Sequence, residues 1–123
     1  MDDLKSREDI ELLVNAFYDK VQKDETIGYI FTEVAALDWS LHLPKMYSFW
    51  ESILFGKGSY KDNPMEKHIA LNKKEKLEAI HFDKWKELWS ATVSSNFSGR
   101  KADEAIKRAE SIAGLMLFKV SND

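Results

Sequence analysis

The sequence predicts an all-α protein that forms a single domain over residues 1–123. Leu, Ala, Lys and Glu favour helices and make up 48 of the 123 residues, whereas Gly and Pro together number only seven. Apolar residues recur at intervals of three and four over several stretches, which is typical of amphipathic helices. A chain of this length forms one hydrophobic core and hardly two.

Periodicity and capping signals predict the helices. The five predicted helices are residues 6–23, 39–55, 64–71, 77–97 and 101–120. Ser6 is expected to cap the first helix, Gly56 to end the second, and Asn63 to precede Pro64 at the start of the third. A short helical turn is expected around residues 27–31. Pro44 lacks an amide hydrogen, so the second helix either kinks there or becomes regular only from that residue.

The composition excludes several classes of function. Eighteen basic residues against 21 acidic ones give a net charge of −3, which argues against a general nucleic-acid binder. No apolar run approaches the ~20 residues of a membrane helix, and the first residues do not resemble a signal peptide. The absence of cysteine excludes disulfides, thiol catalysis and cysteine-based zinc sites. We expect a cytoplasmic protein without nucleic-acid or membrane partners.

Three histidines are the candidates for imidazole chemistry. His68 lies on the apolar face of a short predicted helix, where it is either a satisfied core residue or an axial iron ligand. His42 lies on a different helix, so the two rings either face each other across a flat cofactor or are unrelated. His81 shares no helical face with Asp83 or Glu87 and is expected to be a partly exposed helix residue.

Aromatic residues are abundant for so small a chain, with 15 rings in 123 residues. Most of them are expected to fill the core, and some are expected to surround a flat, apolar ligand. The buried hydroxyl of Tyr18 and the indole N–H of Trp85 would each need an acceptor, which a ligand oxygen could supply. The lysines at 73, 74 and 76 are interpreted as a solvated turn.

Several segments together resemble the truncated haemoglobins, and within that family group III. The resemblance covers roughly residues 8–118. Its segments are 16–21 (AFYDKV), 27–31 (IGYIF), 39–42 (WSLH), 49–50 (FW), 55–60 (FGKGSY), 63–68 (NPMEKH) and 81–85 (HFDKW). The resemblance implies a globin-like two-over-two helical sandwich around haem b.

The same resemblance implies roles for individual residues. His68 would be the proximal ligand of the iron. The residues of the opposite, distal pocket would be Tyr18, His42, Met46 and Trp85, of which Tyr18, His42 and Trp85 would act in any catalysis. Phe31, Trp50, Tyr60, Met65, Phe82 and Met116 would line the haem, and Lys45 would pair with a propionate. His42 would donate a hydrogen bond, swing as a gate or ligate the iron.

The expected function is reversible binding of oxygen, nitric oxide or carbon monoxide at a five-coordinate haem iron. Conversion of nitric oxide to nitrate or reduction of peroxide would extend this function to catalysis and would require an unidentified reductase. One alternative is an electron-transfer protein in which His42 and His68 both ligate the iron. A second is a haem-free helical domain that binds a partner through an aromatic groove.

Overall fold

The computed structural model of the chain describes residues 1–57 and 64–122, except for the side chain of Met65. The described residues form five α-helices and one short π-helix. The helices are α1 (Arg7–Lys23), α2 (Trp39–Phe55), α3 (Pro64–Lys74), α4 (Ala79–Asn96) and α5 (Arg100–Ser121), and the π-helix is Ile30–Val34. Residues 58–63, which include the predicted cap Asn63, lie outside the described residues.

The four long helices form two packed pairs. Helix α1 packs against α2, and α4 packs against α5, while α1 also packs against α4 and α2 touches α5. This arrangement confirms the all-α, two-over-two sandwich. The short helix α3 packs against α5 and has little contact with α1 or α2. A space between α3 and the first helix pair follows from this placement.

The core consists of two clusters of buried residues. The larger cluster contains the apolar stripe that spacing predicts for α1, formed by Ile10, Leu13, Val14, Phe17 and Val21. The Phe17 ring meets the Trp89 ring in an edge contact, with centroids 5.0 Å apart. The smaller cluster is built by the π-helix, α5 and the start of α4. Phe31, Trp85 and Ile112 pack against both clusters. These three residues therefore lie where the two parts of the core meet.

Helix α2 is regular from Trp39, as its predicted bounds require, and does not begin only at Pro44. Its first residue is Trp39, and the side chain of Asp38 accepts a hydrogen bond from the Ser40 amide. Pro44 lies inside the helix and removes the donor that the Ser40 carbonyl would otherwise use. Gly56 ends the helix in the left-handed conformation with φ 69°, as predicted.

Other local predictions need correction. Ser6 precedes α1, but its side chain makes no capping hydrogen bond. The turn expected at 27–31 continues into the π-helix, in which the Ala35 amide donates to the Ile30 carbonyl. Helix α3 continues to Lys74 instead of ending near residue 71. The spacing of Leu77, Ile80 and His81 predicts a shared apolar face, but Ile80 is 60% exposed, whereas Leu77 is buried.

The start of α5 is capped by a residue from the other end of the chain. Asp3 accepts hydrogen bonds from the amides of Lys101 (2.9 Å), Ala102 (2.8 Å) and Leu4 (2.8 Å). Burial raises the pKa of the Asp3 carboxyl, but these three amides and the Lys101 charge outweigh it and hold the pKa below its usual range. A Cβ at Gly99 would come 2.6 Å from Asp3 Cγ, so this approach requires glycine.

We expect Asp3→Ala to lower the free energy of unfolding by about 1 kcal/mol, since it removes an N-cap. The contribution of Asp3 is present at pH values above the ordinary pKa of 3.8 and is lost as the pH falls through the lower pKa of the folded state. Urea unfolding followed by circular dichroism at several pH values measures both effects.

The matched control is Asp2→Ala, because the neighbouring Asp2 side chain is 87% exposed. The free energy of unfolding of Asp2→Ala should differ from that of the wild type by no more than about 0.5 kcal/mol. An equally small change for Asp3→Ala would show that the cap does not stabilise α5.

Candidate functional site

A cavity of about 520 Å³ lies beside α3 and receives side chains from all four of the other helices and from the π-helix. Its volume is in the range of small-molecule and cofactor sites. Ten of the residues predicted for the site line it: Tyr18, Phe31, His42, Lys45, Met46, Trp50, His68, Phe82, Trp85 and Met116. Tyr60 and the side chain of Met65 are outside the described part of the chain. The structure thus brings together the predicted residues that it describes.

His68 is oriented by its own helix. Its Nδ1 lies 2.6 Å from the carbonyl oxygen of Pro64, one turn earlier in α3. A carbonyl can only accept, so Nδ1 carries the proton and Nε2 of the neutral ring keeps its lone pair. Burial lowers the pKa of His68, and the hydrogen bond to Pro64 opposes this effect only in part. The ring therefore presents a ready metal-ligating nitrogen.

Among the described residues, His68 has no partners for a metal site made by protein alone. Within residues 1–57 and 64–122, no group of three or more histidine, cysteine, aspartate or glutamate side chains is placed to hold a metal ion. Structural and catalytic zinc sites need three or four such ligands. His68 could therefore hold a metal whose other ligands belong to a cofactor.

Tyr18 and His42 form a polar pair on the wall made by α1 and α2. A hydrogen bond of 3.3 Å joins Tyr18 Oη and His42 Nε2, and the tautomer of His42 decides which atom donates. Edge contacts with Phe31 and His42 and a tilted contact with Trp39 hold the Tyr18 ring. The pair therefore offers hydrogen-bonding atoms at a defined place in an otherwise apolar wall.

Trp85 is placed by a stack of indole rings. Its ring lies parallel to that of Trp89, with centroids 6.4 Å apart, and Trp50 stacks on Trp89 from the core. The Trp89 indole is itself fixed, since its Nε1 donates to the Ala105 carbonyl. For the indole N–H of Trp85, the structure shows no acceptor among the residues that it describes. Trp85 thus contributes a donor that a cavity ligand could use.

Positive charge surrounds His42. The pKa of His42 is lowered to about 4, mainly by burial and in the same direction by the positive charges of Lys67, Lys45 and His68. His42 is therefore neutral at pH 7. A neutral ring can donate to Tyr18 or accept from it, but it brings no charge of its own into the cavity.

Sequence reasoning missed several lining residues. His81 was expected to be a partly exposed helix residue; it is half-buried, and it also lines the cavity. Lys67 and Lys74 line the cavity too, although Lys74 was assigned to a solvated turn. Lys67 and Lys74 are seven residues apart, and residues at this spacing share a helix face. This signal could be used only if α3 was known to continue to residue 74.

Comparisons with known proteins agree on one family. A curated group 3 truncated haemoglobin of Campylobacter jejuni is 29% identical over 120 residues, covering 93% of this chain and 92% of the relative. The crystal structure of a group III truncated haemoglobin from Campylobacter jejuni superposes with a TM-score of 0.85 at 27% identity, covering 98% of this chain and 95% of that one. No protein-family model matches the chain. No helix in the described ranges is both long and apolar enough to cross a bilayer.

We expect the His42 ring to titrate with a midpoint near pH 4, because burial and the neighbouring lysines oppose its protonation. The unfolded chain takes up this proton near pH 6.5, so stability should fall as the pH drops from 6.5 towards 4. Imidazole ¹⁵N chemical shifts of the folded protein report the midpoint directly.

The control is His42→Gln, which removes the titrating group while it keeps a polar side chain. In this variant the decline in stability between pH 6.5 and 4 should be shallower. A His42 midpoint near 6.5 would contradict the neutral, buried ring.

Proposed function

Because the chain is similar to group III truncated haemoglobins over more than nine tenths of its length, we propose that it belongs to that family, that its cavity holds haem b and that the iron is five-coordinate and binds a diatomic gas. The observation that carries this proposal is the His68 imidazole, which lines the cavity with Nδ1 hydrogen-bonded to Pro64 and Nε2 available. Haem proteins commonly hold the iron through such a histidine. His68 is thus the proposed proximal ligand.

The rest of the cavity fits a flat, apolar group. Its walls are largely apolar side chains, and it reaches both clusters of the core. The residues proposed to contact the porphyrin are Phe31, Met46, Trp50, Phe82 and Met116, with Tyr60 and Met65 proposed from the family resemblance alone. Lys45, at the cavity wall, is proposed to pair with one propionate. A bulky apolar wall with one nitrogen ligand suits haem better than a polar substrate.

When bound, haem supplies an iron with one open coordination position for a gas molecule. The chain supplies the surroundings of that position. Tyr18 and Trp85 are proposed to donate hydrogen bonds to a ligand that carries partial negative charge, while His42 Nε2–H is proposed to donate to Tyr18 Oη. The indole stack orients Trp85, and the Tyr18–His42 hydrogen bond orients the phenol. Apolar neighbours exclude water, which strengthens these hydrogen bonds.

The polar distal residues also suit chemistry on a bound gas. Proposed reactions are the conversion of nitric oxide to nitrate and the reduction of peroxide, with oxygen, nitric oxide and carbon monoxide as ligands. Repeated turnover would require an electron donor, which we propose to be a reductase of the cytoplasm. The donors Tyr18, His42 and Trp85 are the proposed catalytic residues.

The hydrogen bond between Tyr18 and His42 favours gas binding over the electron-transfer alternative. Ligation of the iron by His42 would use Nε2 or Nδ1, and Nε2 already lies 3.3 Å from Tyr18 Oη. Coordination through Nε2 would break that hydrogen bond and leave the phenol without it. The five-coordinate arrangement keeps it intact.

We expect His68→Ala to lose most of its haem during purification, because the single protein bond to the iron is removed. Absorption spectra of the ferric, ferrous and carbon monoxide forms measure haem content and coordination. Added imidazole should enter the space left by the side chain and restore a spectrum close to that of the wild-type protein.

The matched control is Lys73→Ala on the same helix, because Lys73 is exposed and does not line the cavity. This variant should keep full haem content. Normal haem content and an unchanged spectrum in His68→Ala without imidazole would overturn the proposal.

We expect Tyr18→Phe and Trp85→Phe each to speed oxygen dissociation by about tenfold or more. Each change removes a hydrogen bond to a partly charged ligand, worth roughly 1.5–3 kcal/mol. Stopped-flow or flash photolysis measures the rates. Carbon monoxide dissociation should change much less, since this ligand carries less negative charge.

Tyr47→Phe is the matched control, because the Tyr47 hydroxyl donates to Asn15 outside the cavity. Its oxygen dissociation rate should equal that of the wild type. Unchanged oxygen rates in both single variants and in the double variant would remove the assigned role of Tyr18 and Trp85.

A further inference from the structure

Positive side chains predominate among the charged residues of the cavity. Lys45, Lys67 and Lys74 line it, whereas Asp38 is the one acidic residue among its described lining. The Asp38 carboxylate is already engaged, since it accepts hydrogen bonds from the amide and hydroxyl of Ser40. The chain as a whole carries a net charge of −3. The cavity is therefore locally basic in an acidic protein.

Helix α3 presents two of these lysines on the same side. Lys67 and Lys74 are seven residues apart, which is close to two helical turns and about 10.5 Å along the axis. Leu71 lies between them and also lines the cavity, whereas Lys73 does not. Lys74 is exposed, so its ammonium group stands at the open edge of the cavity and not in its interior.

His81 adds a donor whose direction is fixed. The Glu78 amide donates a 3.0 Å hydrogen bond to His81 Nδ1 at the start of α4. With Nδ1 acting as the acceptor, the proton of the neutral ring is on Nε2. The ring lines the cavity and is half-buried. Its capping contact therefore uses one nitrogen and leaves the other as a donor.

Nearby acidic groups do not neutralise this part of the cavity. Glu75 accepts a hydrogen bond from the Tyr29 side chain, and the Tyr29 pKa is raised by burial first and then by the negative charges of Glu75 and Glu78. Neither glutamate is among the residues that line the cavity. An ammonium group and an N–H donor thus remain on the cavity side of the α3–α4 junction.

We propose that Lys74 and His81 bind a carboxylate of the cofactor at this junction. The inference rests on the proposed function, and it assigns the second propionate of haem b, the first being assigned to Lys45. A carboxylate accepts from an ammonium group and from an imidazole N–H at the same time, because its two oxygens offer separate lone pairs. By holding this propionate, Lys74 and His81 would fix the orientation in which the haem lies in the cavity.

The test compares haemin with its dimethyl ester, which has the same ring and iron but no charged carboxylates. Each protein is reconstituted with either compound, and the rate of loss to an excess of a haem-scavenging apoglobin is measured. The readout is the ratio of the two loss rates, ester to haemin. A general loosening of the cavity changes both rates and leaves this ratio unchanged.

We expect Lys74→Ala and His81→Phe each to lower the ratio roughly threefold, because each speeds haemin loss. A change of this size is what the loss of a partly exposed charged pair produces. The rate of ester loss should not change in Lys74→Ala. Lys73→Ala is again the matched control and should keep the wild-type ratio. Since His81 also caps α4, Lys74→Ala is the decisive variant if His81→Phe folds poorly.

A wild-type ratio in Lys74→Ala would overturn the inference. If His68→Ala loses its haem while the ratio stays constant in Lys74→Ala, only the carboxylate assignment fails. If His68→Ala keeps haem with a normal spectrum, the proposed function fails and the carboxylate assignment fails with it.

Discussion

The hydrogen bond from His68 Nδ1 to the Pro64 carbonyl is the contact on which the site depends. It joins residues four apart in one helix, so the imidazole is oriented by α3 alone. A helical side chain points back towards the N-terminus, which brings the ring to the preceding turn. Proline fits the first position of a helix, where its missing N–H has no partner to lose. The short helix therefore both begins at Pro64 and aims His68.

The two half-buried histidines of the cavity, His42 and His68, are both neutral at pH 7. Burial lowers the pKa of His42 and of His68, so neither brings a positive charge into the apolar cavity. The charged groups are lysines, whose long side chains can keep their ammonium ends near water. The interior thus offers directed lone pairs and donors, while the charge stays at the edge. This division suits a ligand that is apolar except at one charged side.

The helices that follow from local sequence patterns were predictable, whereas contacts between residues far apart in the chain were not. The stripe of α1 and the end of α2 at Gly56 follow from spacing and from glycine chemistry, and the structure confirms them. The Asp3 cap of α5 joins residues almost a hundred positions apart, so no local pattern reveals it. The π-helix likewise depends on how the connection from α1 to α2 packs, because its residues would equally suit an α-helical turn.

The site shows the same limit on a smaller scale. Its aromatic and histidine residues were named from the family resemblance, and the described ones line one cavity. The lysines at 73, 74 and 76 were interpreted as a solvated turn; all three are exposed, but Lys73 and Lys74 belong to α3. The turn prediction is wrong for Lys74 because α3 is about one helical turn longer than predicted. Had α3 ended near residue 71, Lys74 would not share a face with Lys67. Since α3 continues to Lys74, the helix that orients His68 also carries a positive charge to the cavity edge.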